Sequence, residues 1–257
     1  MGLLTATLVL ASLGNGLPAA AAVPLPRPRP PIVAEPAVAV ASDHGPPTDC
    51  DKRLATVAVY LPKPTLTGPG ACGGPDLVEV DAVLLPDGSR VAVEPKAMLR
   101  CDMAESLAAW LRDEVVPRLK PLNSPLRAIE NADSYECRGR NRVVGAKVSE
   151  HGKGNAIDVR GFLLADHRKV VLTDTAEPTA LREELRQSAC GRFTTVLGPG
   201  SDGYHEQHIH LDVIQRRSGY RICQWAVREP APPALIAVGD HVPLPQPRPA
   251  VPEIRKL

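Results

Sequence analysis

Polar and apolar residues alternate strictly through His208-Ile209-His210-Leu211-Asp212-Val213, the period of a half-buried strand. His208, His210 and Asp212 then share one face, and Ile209, Leu211 and Val213 bury the other. The same alternation runs through Ala156-Ile157-Asp158-Val159, which predicts a strand over 154–162. Shorter runs at Lys169–Leu172 and Phe193–Leu197 read as strands, as does Leu126–Glu136 leading to Arg138. Val78–Leu85 and Arg90–Val93 flank Pro86-Asp87-Gly88-Ser89, a hairpin pattern. Two segments have helical spacing instead. Between Cys101 and Leu119, apolar residues fall at Met103, Leu107, Trp110, Leu111 and Val115, and Pro117 and Pro121 close the segment. Pro178 at a first turn, followed by Leu181 and Leu185, predicts a helix ending near Gly191. Helices mixed with a mainly antiparallel sheet give an α+β fold.

This patterned stretch, residues 50–226, has the size of a single domain. Outside it the periodicity is lost. Residues 1–22 hold an apolar run to Leu13 and then Ala19–Ala22, which reads as a secretory signal peptide with a small-residue cleavage site. No Lys or Arg precedes the run, so an uncleaved cytosolic start is the competing reading. The run is shorter than the roughly twenty residues a membrane span needs, so no stable membrane insertion is expected. Residues 23–49 and 227–257 are proline-rich and read as extended segments, as a spacer or as passive tails.

Composition sharpens the compartment and narrows the function. Six cysteines lie beyond the apolar run, at positions 50, 72, 101, 137, 190 and 223. An even set in an exported chain predicts a disulfide framework, with fifteen possible connectivities. A Cys190–Cys223 bridge would brace the 208–213 strand, but the sequence does not choose among pairings. A periplasmic or secreted location follows. Net charge is +1 and aromatic content 3%, with no basic patch, so nucleic acid is not expected as a partner.

The candidate chemistry lies in two segments roughly fifty residues apart, Ser149–Asp158 and His205–Asp212, which carry four of the seven histidines. His151 precedes the 154–162 strand in a glycine-rich turn that can bring its ring toward Asp158. Two adjacent strands would gather His151, Asp158 and His210 around one point. Catalytic zinc sites use three protein ligands and leave the fourth position to water. Structural zinc sites usually contain cysteine and close all four positions; neither segment has a cysteine.

The pattern Ser149-x-His151-x-x-Gly154-x-Ala156-x-Asp158 resembles the signature of zinc D-Ala-D-Ala carboxypeptidases and dipeptidases. His205-x-x-His208-x-His210 is similar to a motif of penicillin-insensitive murein endopeptidases in the same wider group, which also includes the hedgehog signalling domain. From Tyr135-Glu136-Cys137-Arg138 through Leu197-Gly198-Pro199-Gly200 to His210-Leu211-Asp212 and Cys223, the chain more closely resembles the bacterial extensin-like C-terminal domain family. The resemblance implies a hedgehog/D-Ala-D-Ala-peptidase-like fold with zinc on the sheet, held by His151, Asp158 and His210. It further implies His208 as general base or transition-state stabiliser, His205 as an additional active-site histidine, and Arg138 as a contact for substrate carboxylate or oxyanion. Related dipeptidases carry a Glu-x-x-His pattern; here Glu206 precedes His210 by four residues, so it ranks below His208 as base. The implied activity is hydrolysis of peptidoglycan peptides next to D-amino acids, more in the manner of an endopeptidase than a carboxypeptidase. The alternative is a non-catalytic wall-binding or scaffold protein that retains the metal.

Overall fold

A computed structural model describes residues 48–229. The signal peptide expected at 1–22, almost all of the 23–49 linker and most of the 227–257 tail lie outside the described residues. In chain order the elements are α1 (Asp49–Leu54), β1 (Ala58–Pro62), β2 (Leu66–Thr67), β3 (Gly73–Gly74), β4 (Leu77–Leu84), β5 (Arg90–Arg100) and α2 (Cys101–Trp110). A π-helical turn, Leu111–Val115, runs into α3 (Val116–Leu119). Then come β6 (Leu126–Asp133), β7 (Ala156–Leu164), β8 (Lys169–Val171), α4 (Thr179–Arg192), β9 (Thr195–Leu197), β10 (Ile209–Asp212) and β11 (Ile222–Gln224). Among the described residues one sheet runs β1-β4-β5-β6-β7-β10-β9-β11, with β8 beside the second half of β7. Pairing is mostly antiparallel; β5–β6 and β9–β11 are parallel. The fold is therefore mixed α and β, with few helices and a mainly antiparallel sheet.

The helix predicted from Cys101 to Leu119 forms, but Pro117 does not close it. A proline cannot donate to the fourth residue back, and its ring crowds that carbonyl. The chain widens into the π turn just before it, where the Val116 N–H reaches the Leu111 carbonyl. The Arg118 guanidinium then donates to the Glu114 carbonyl at 2.8 Å. This helix carries the chain back across the sheet, which makes β5 and β6 parallel neighbours.

The core lies between the sheet and α2, the π turn and α4. Trp110 is its centre, with Phe162 and Phe193 ring centroids at 5.9 and 5.6 Å. Its indole N–H donates to Ser188 Oγ at 3.0 Å, so the ring is buried without an orphaned donor. Ile157, Val159, Ile209 and Leu211 join this core from β7 and β10. A bulge at Arg160 shifts the register, with Asn131 opposite Val159 and Glu130 opposite Gly161. Val159 and Phe162 can therefore both face the core three positions apart. Asp158, before the bulge, and Arg160, at it, stay out of that core.

All six cysteines pair, as Cys50–Cys101, Cys72–Cys137 and Cys190–Cys223. Three disulfides fit an oxidising compartment. No helix among the described residues is long and apolar enough to cross a membrane.

Candidate metal centre

The two motifs meet because β7 and β10 are antiparallel neighbours with His210 directly opposite Asp158. Directly paired residues hold their Cβ atoms about 5 Å apart, so imidazole and carboxylate are forced together. His151 arrives through a short 3₁₀ turn, His151–Lys153. Ser149 Oγ accepts the His151 N–H at 3.4 Å at its start. Gly154 ends it with φ +70°, where an added Cβ would lie 2.6 Å from Leu77 Cδ2 and 3.1 Å from the Arg100 backbone. Only glycine combines that left-handed backbone with that space. The motif's Ser, Gly and Ala positions thus build the turn and seat it on the sheet; its His and Asp face the cluster.

His151, Asp158 and His210 each offer a ligand atom, all within 4.8 Å of one another. His151 Nε2 lies 3.0 Å from His210 Nδ1 and 3.2 Å from Asp158 Oδ1. His210 Nδ1 lies 3.0 Å from the same oxygen. The far side of each ring is committed. His151 Nδ1 faces the Ser134 carbonyl at 2.6 Å, which can only accept, so the proton sits on Nδ1 and the Nε2 lone pair points inward. His210 Nε2 lies 3.2 Å from Asp212 Oδ2, so its proton sits on Nε2 and the Nδ1 lone pair points inward. Two imidazole lone pairs and a carboxylate oxygen then converge with no donor among them. Such a set requires a cation, proton or metal, and its nitrogen–oxygen composition with oriented outer hydrogen bonds suits zinc.

The electrostatics express the same demand. Burial alone would raise the Asp158 carboxyl, but hydrogen bonds with His151 and His210 outweigh it and hold the group far below the usual carboxylate range. Burial alone would lower His210, but Asp158 and Asp212 raise it to about 9.

Around the three lie the other sequence-predicted residues. His208 Nε2 is 3.3 Å from Asp158 Oδ2, the carboxylate oxygen not shared with the other two rings. Burial and the neighbouring imidazoles lower its pKa, against the pull of Asp158. His205 packs its ring 5.2 Å from His208 and 5.5 Å from His210, and its Nδ1 is fixed by Asp202 Oδ1 at 2.7 Å. Arg138 is held by two carboxylates, Nε to Glu136 at 2.8 Å and Nη2 to Asp133 at 2.9 Å.

Glu206 is not brought to the cluster. Its carboxylate accepts the Gly200 N–H at 2.8 Å and pairs with Arg228 at 3.3 Å. It braces the loop rather than facing the histidines, because the chain enters β10 only at Ile209.

Two further differences from the sequence reading follow from packing. The β6 strand stops at Asp133 rather than Glu136, since the Ser134 carbonyl turns to receive His151 and its hydroxyl accepts the Met98 N–H at 3.2 Å. The β10 strand is buried on both faces rather than one, because His151 and His205 cover its polar side. Sequence reasoning assigned no role to Asp212, Asp202 or Ser134. The alternation that groups His210 with Asp212 and the Asp202-x-x-His205 spacing were the available signals; a backbone carbonyl leaves none.

The family described as extensin-like protein C-terminus matches residues 48–224. The chain belongs to this family. No curated protein matches it significantly, and no solved structure does. The extensin-like domain therefore spans nearly all the described residues, including every histidine of the cluster. Its three donors open between two clefts of about 270 and 290 Å³, which share Arg138, Asn141 and His205.

Proposed function

We propose that this extensin-like domain is an exported zinc peptidase that hydrolyses peptidoglycan peptides next to D-amino acids, in the periplasm or outside the cell, more as an endopeptidase than a carboxypeptidase. One observation carries the reading: three inward-facing lone pairs with oriented outer partners lie where two open clefts meet. His151 Nε2, Asp158 and His210 Nδ1 would hold the metal. Bound there, zinc would supply Lewis acidity toward a carbonyl and lower the pKa of a coordinated water. The chain's own residues supply the rest. His208 is the most exposed imidazole of the cluster, with 22% of its side chain open, and is placed to take a proton from water and return it to the leaving amine. Arg138 is fixed by Asp133 and Glu136, so its guanidinium meets developing negative charge without reorganising. Asp202 fixes the ring of His205, which lines both clefts. Two clefts that both reach the metal ligands suit a bond inside a polymer better than one at a chain end.

The test is digestion of purified muropeptides by the zinc-loaded protein, read by mass spectrometry, with and without chelator. Chelator-sensitive cleavage beside a D-residue is the expected result. Metal binding without cleavage of any fragment would overturn the peptidase reading and leave a zinc-holding wall-binding domain.

A further inference from the structure

Five carboxylates line the two clefts, and each is already engaged within the protein. Glu150 holds Lys153 at 2.7 Å and Asn155 at 3.0 Å. Asp202 holds His205 and accepts from Asn141 at 3.2 Å. Asp133 holds Arg138, Asp212 holds His210, and Asp158 faces three imidazoles. The arginines divide differently. Arg138 and Arg142 are tied to Glu136. Arg216 donates to the Thr194 carbonyl and Thr195 Oγ1 and lies 5.0 Å over the Tyr220 ring. Arg140 and Arg160 are exposed and have no side-chain partner among the described residues.

These two uncommitted charges line different clefts, each of which reaches residues of the cluster. Arg140 lines the cleft that contains His151 and His210; Arg160 lines the cleft that contains Asp158 and His208. Both rise from fixed backbone. The Arg140 N–H donates to the Lys147 carbonyl at 2.9 Å within a loop closed by a Gly139–Val148 bridge. Arg160 is in β7, and its carbonyl accepts the Leu172 N–H at 3.2 Å. With the cleft carboxylates engaged within the protein, Arg140 and Arg160 are the uncommitted charges of the two linings among the described residues. A planar guanidinium with its donors free matches a carboxylate in bidentate geometry.

We infer that Arg140 and Arg160 form two anion-binding subsites that select peptides carrying a free carboxylate on each side of the reacting amide. The inference rests on the peptidase reading for the word "reacting", not for the binding. Exposed pairs of this kind contribute roughly two- to fivefold each, and salt weakens them.

The experiment compares four forms of one crosslinked peptide: both flanking carboxylates free, each amidated alone, and both amidated. The zinc-loaded wild type should prefer the free acid by about two- to fivefold per carboxylate in kcat/KM. Arg140→Ala should lose the preference for one carboxylate and Arg160→Ala for the other, while Arg140→Lys and Arg160→Lys retain part of each. A wild type that cleaves all four forms alike, or alanine variants that keep the full preference, would overturn the subsites and leave the peptidase reading standing. If the wild type cleaves none, calorimetric binding of the same peptides decides. A preference abolished by the two alanine variants keeps the subsites while the peptidase reading fails; no preference overturns the subsites as well.

Discussion

Asp212→Asn tests the feature on which the metal site depends, the orientation of the His210 lone pair. In the native chain the carboxylate accepts on both sides. Oδ2 takes the His210 Nε2 proton at 3.2 Å, and Oδ1 takes the Ile214 N–H at 3.1 Å and the Thr194 hydroxyl at 3.3 Å. An amide of the same shape can accept on one side only. If its oxygen stays with Ile214, its NH₂ faces Nε2, and the His210 proton must move to Nδ1, the atom aimed at the metal. If its oxygen turns to His210, the NH₂ meets the Ile214 N–H and leaves that donor unpaired, at about 1–3 kcal/mol. Either arrangement penalises the metal-competent tautomer. Outer partners of zinc-bound histidines typically account for about 10- to 100-fold in affinity, and the hydrogen-bond cost spans the same range. Chelator competition should therefore show the zinc dissociation constant rising about 10- to 100-fold. Asp212→Ala removes the acceptor without adding a donor and should lose less. Imidazole nitrogen NMR of the zinc-loaded proteins reads the His210 tautomer directly. An Asp212→Asn protein that binds zinc as the wild type does, with His210 still protonated at Nε2, would refute the argument.

Three other substitutions separate His210 from its neighbours. His210→Ala should lose most bound zinc, whereas His208→Ala should keep it and lose about 10²- to 10⁴-fold in muropeptide turnover, the range for a proton-transfer group; metal analysis paired with kinetics checks both, and loss of zinc from His208→Ala would make His208 a ligand. Glu206→Ala should leave zinc affinity unchanged and lower stability by about 1 kcal/mol through the lost Gly200 contact, read by denaturant melts; a large loss of turnover with stability intact would return Glu206 to the cluster.

The sequence by itself determined the donors and the strands that carry them. Alternation in Ala156–Val159 and His208–Val213 is local information, because a strand's side chains point to opposite faces with a period of two residues whatever its neighbours are. That period put Asp158, His208, His210 and Asp212 on polar faces, and the chemistry of imidazole and carboxylate made them metal candidates. The helices were legible for the same reason, at a period of 3.6. What the alternation could not contain was pairing across space. Only the tertiary structure set His210 opposite Asp158, turned the Ser134 carbonyl onto His151, joined the cysteines and sent Glu206 to Gly200 and Arg228. It also decided that Pro117 would be absorbed by a π turn, since the surrounding core around Trp110 rewards continuing the helix more than the lost hydrogen bond costs. The three lone pairs face one another because the Ser134 carbonyl, 17 residues from His151, and the Asp212 carboxylate, 2 residues from His210, hold the protons elsewhere, and that distribution exists only once the chain has folded.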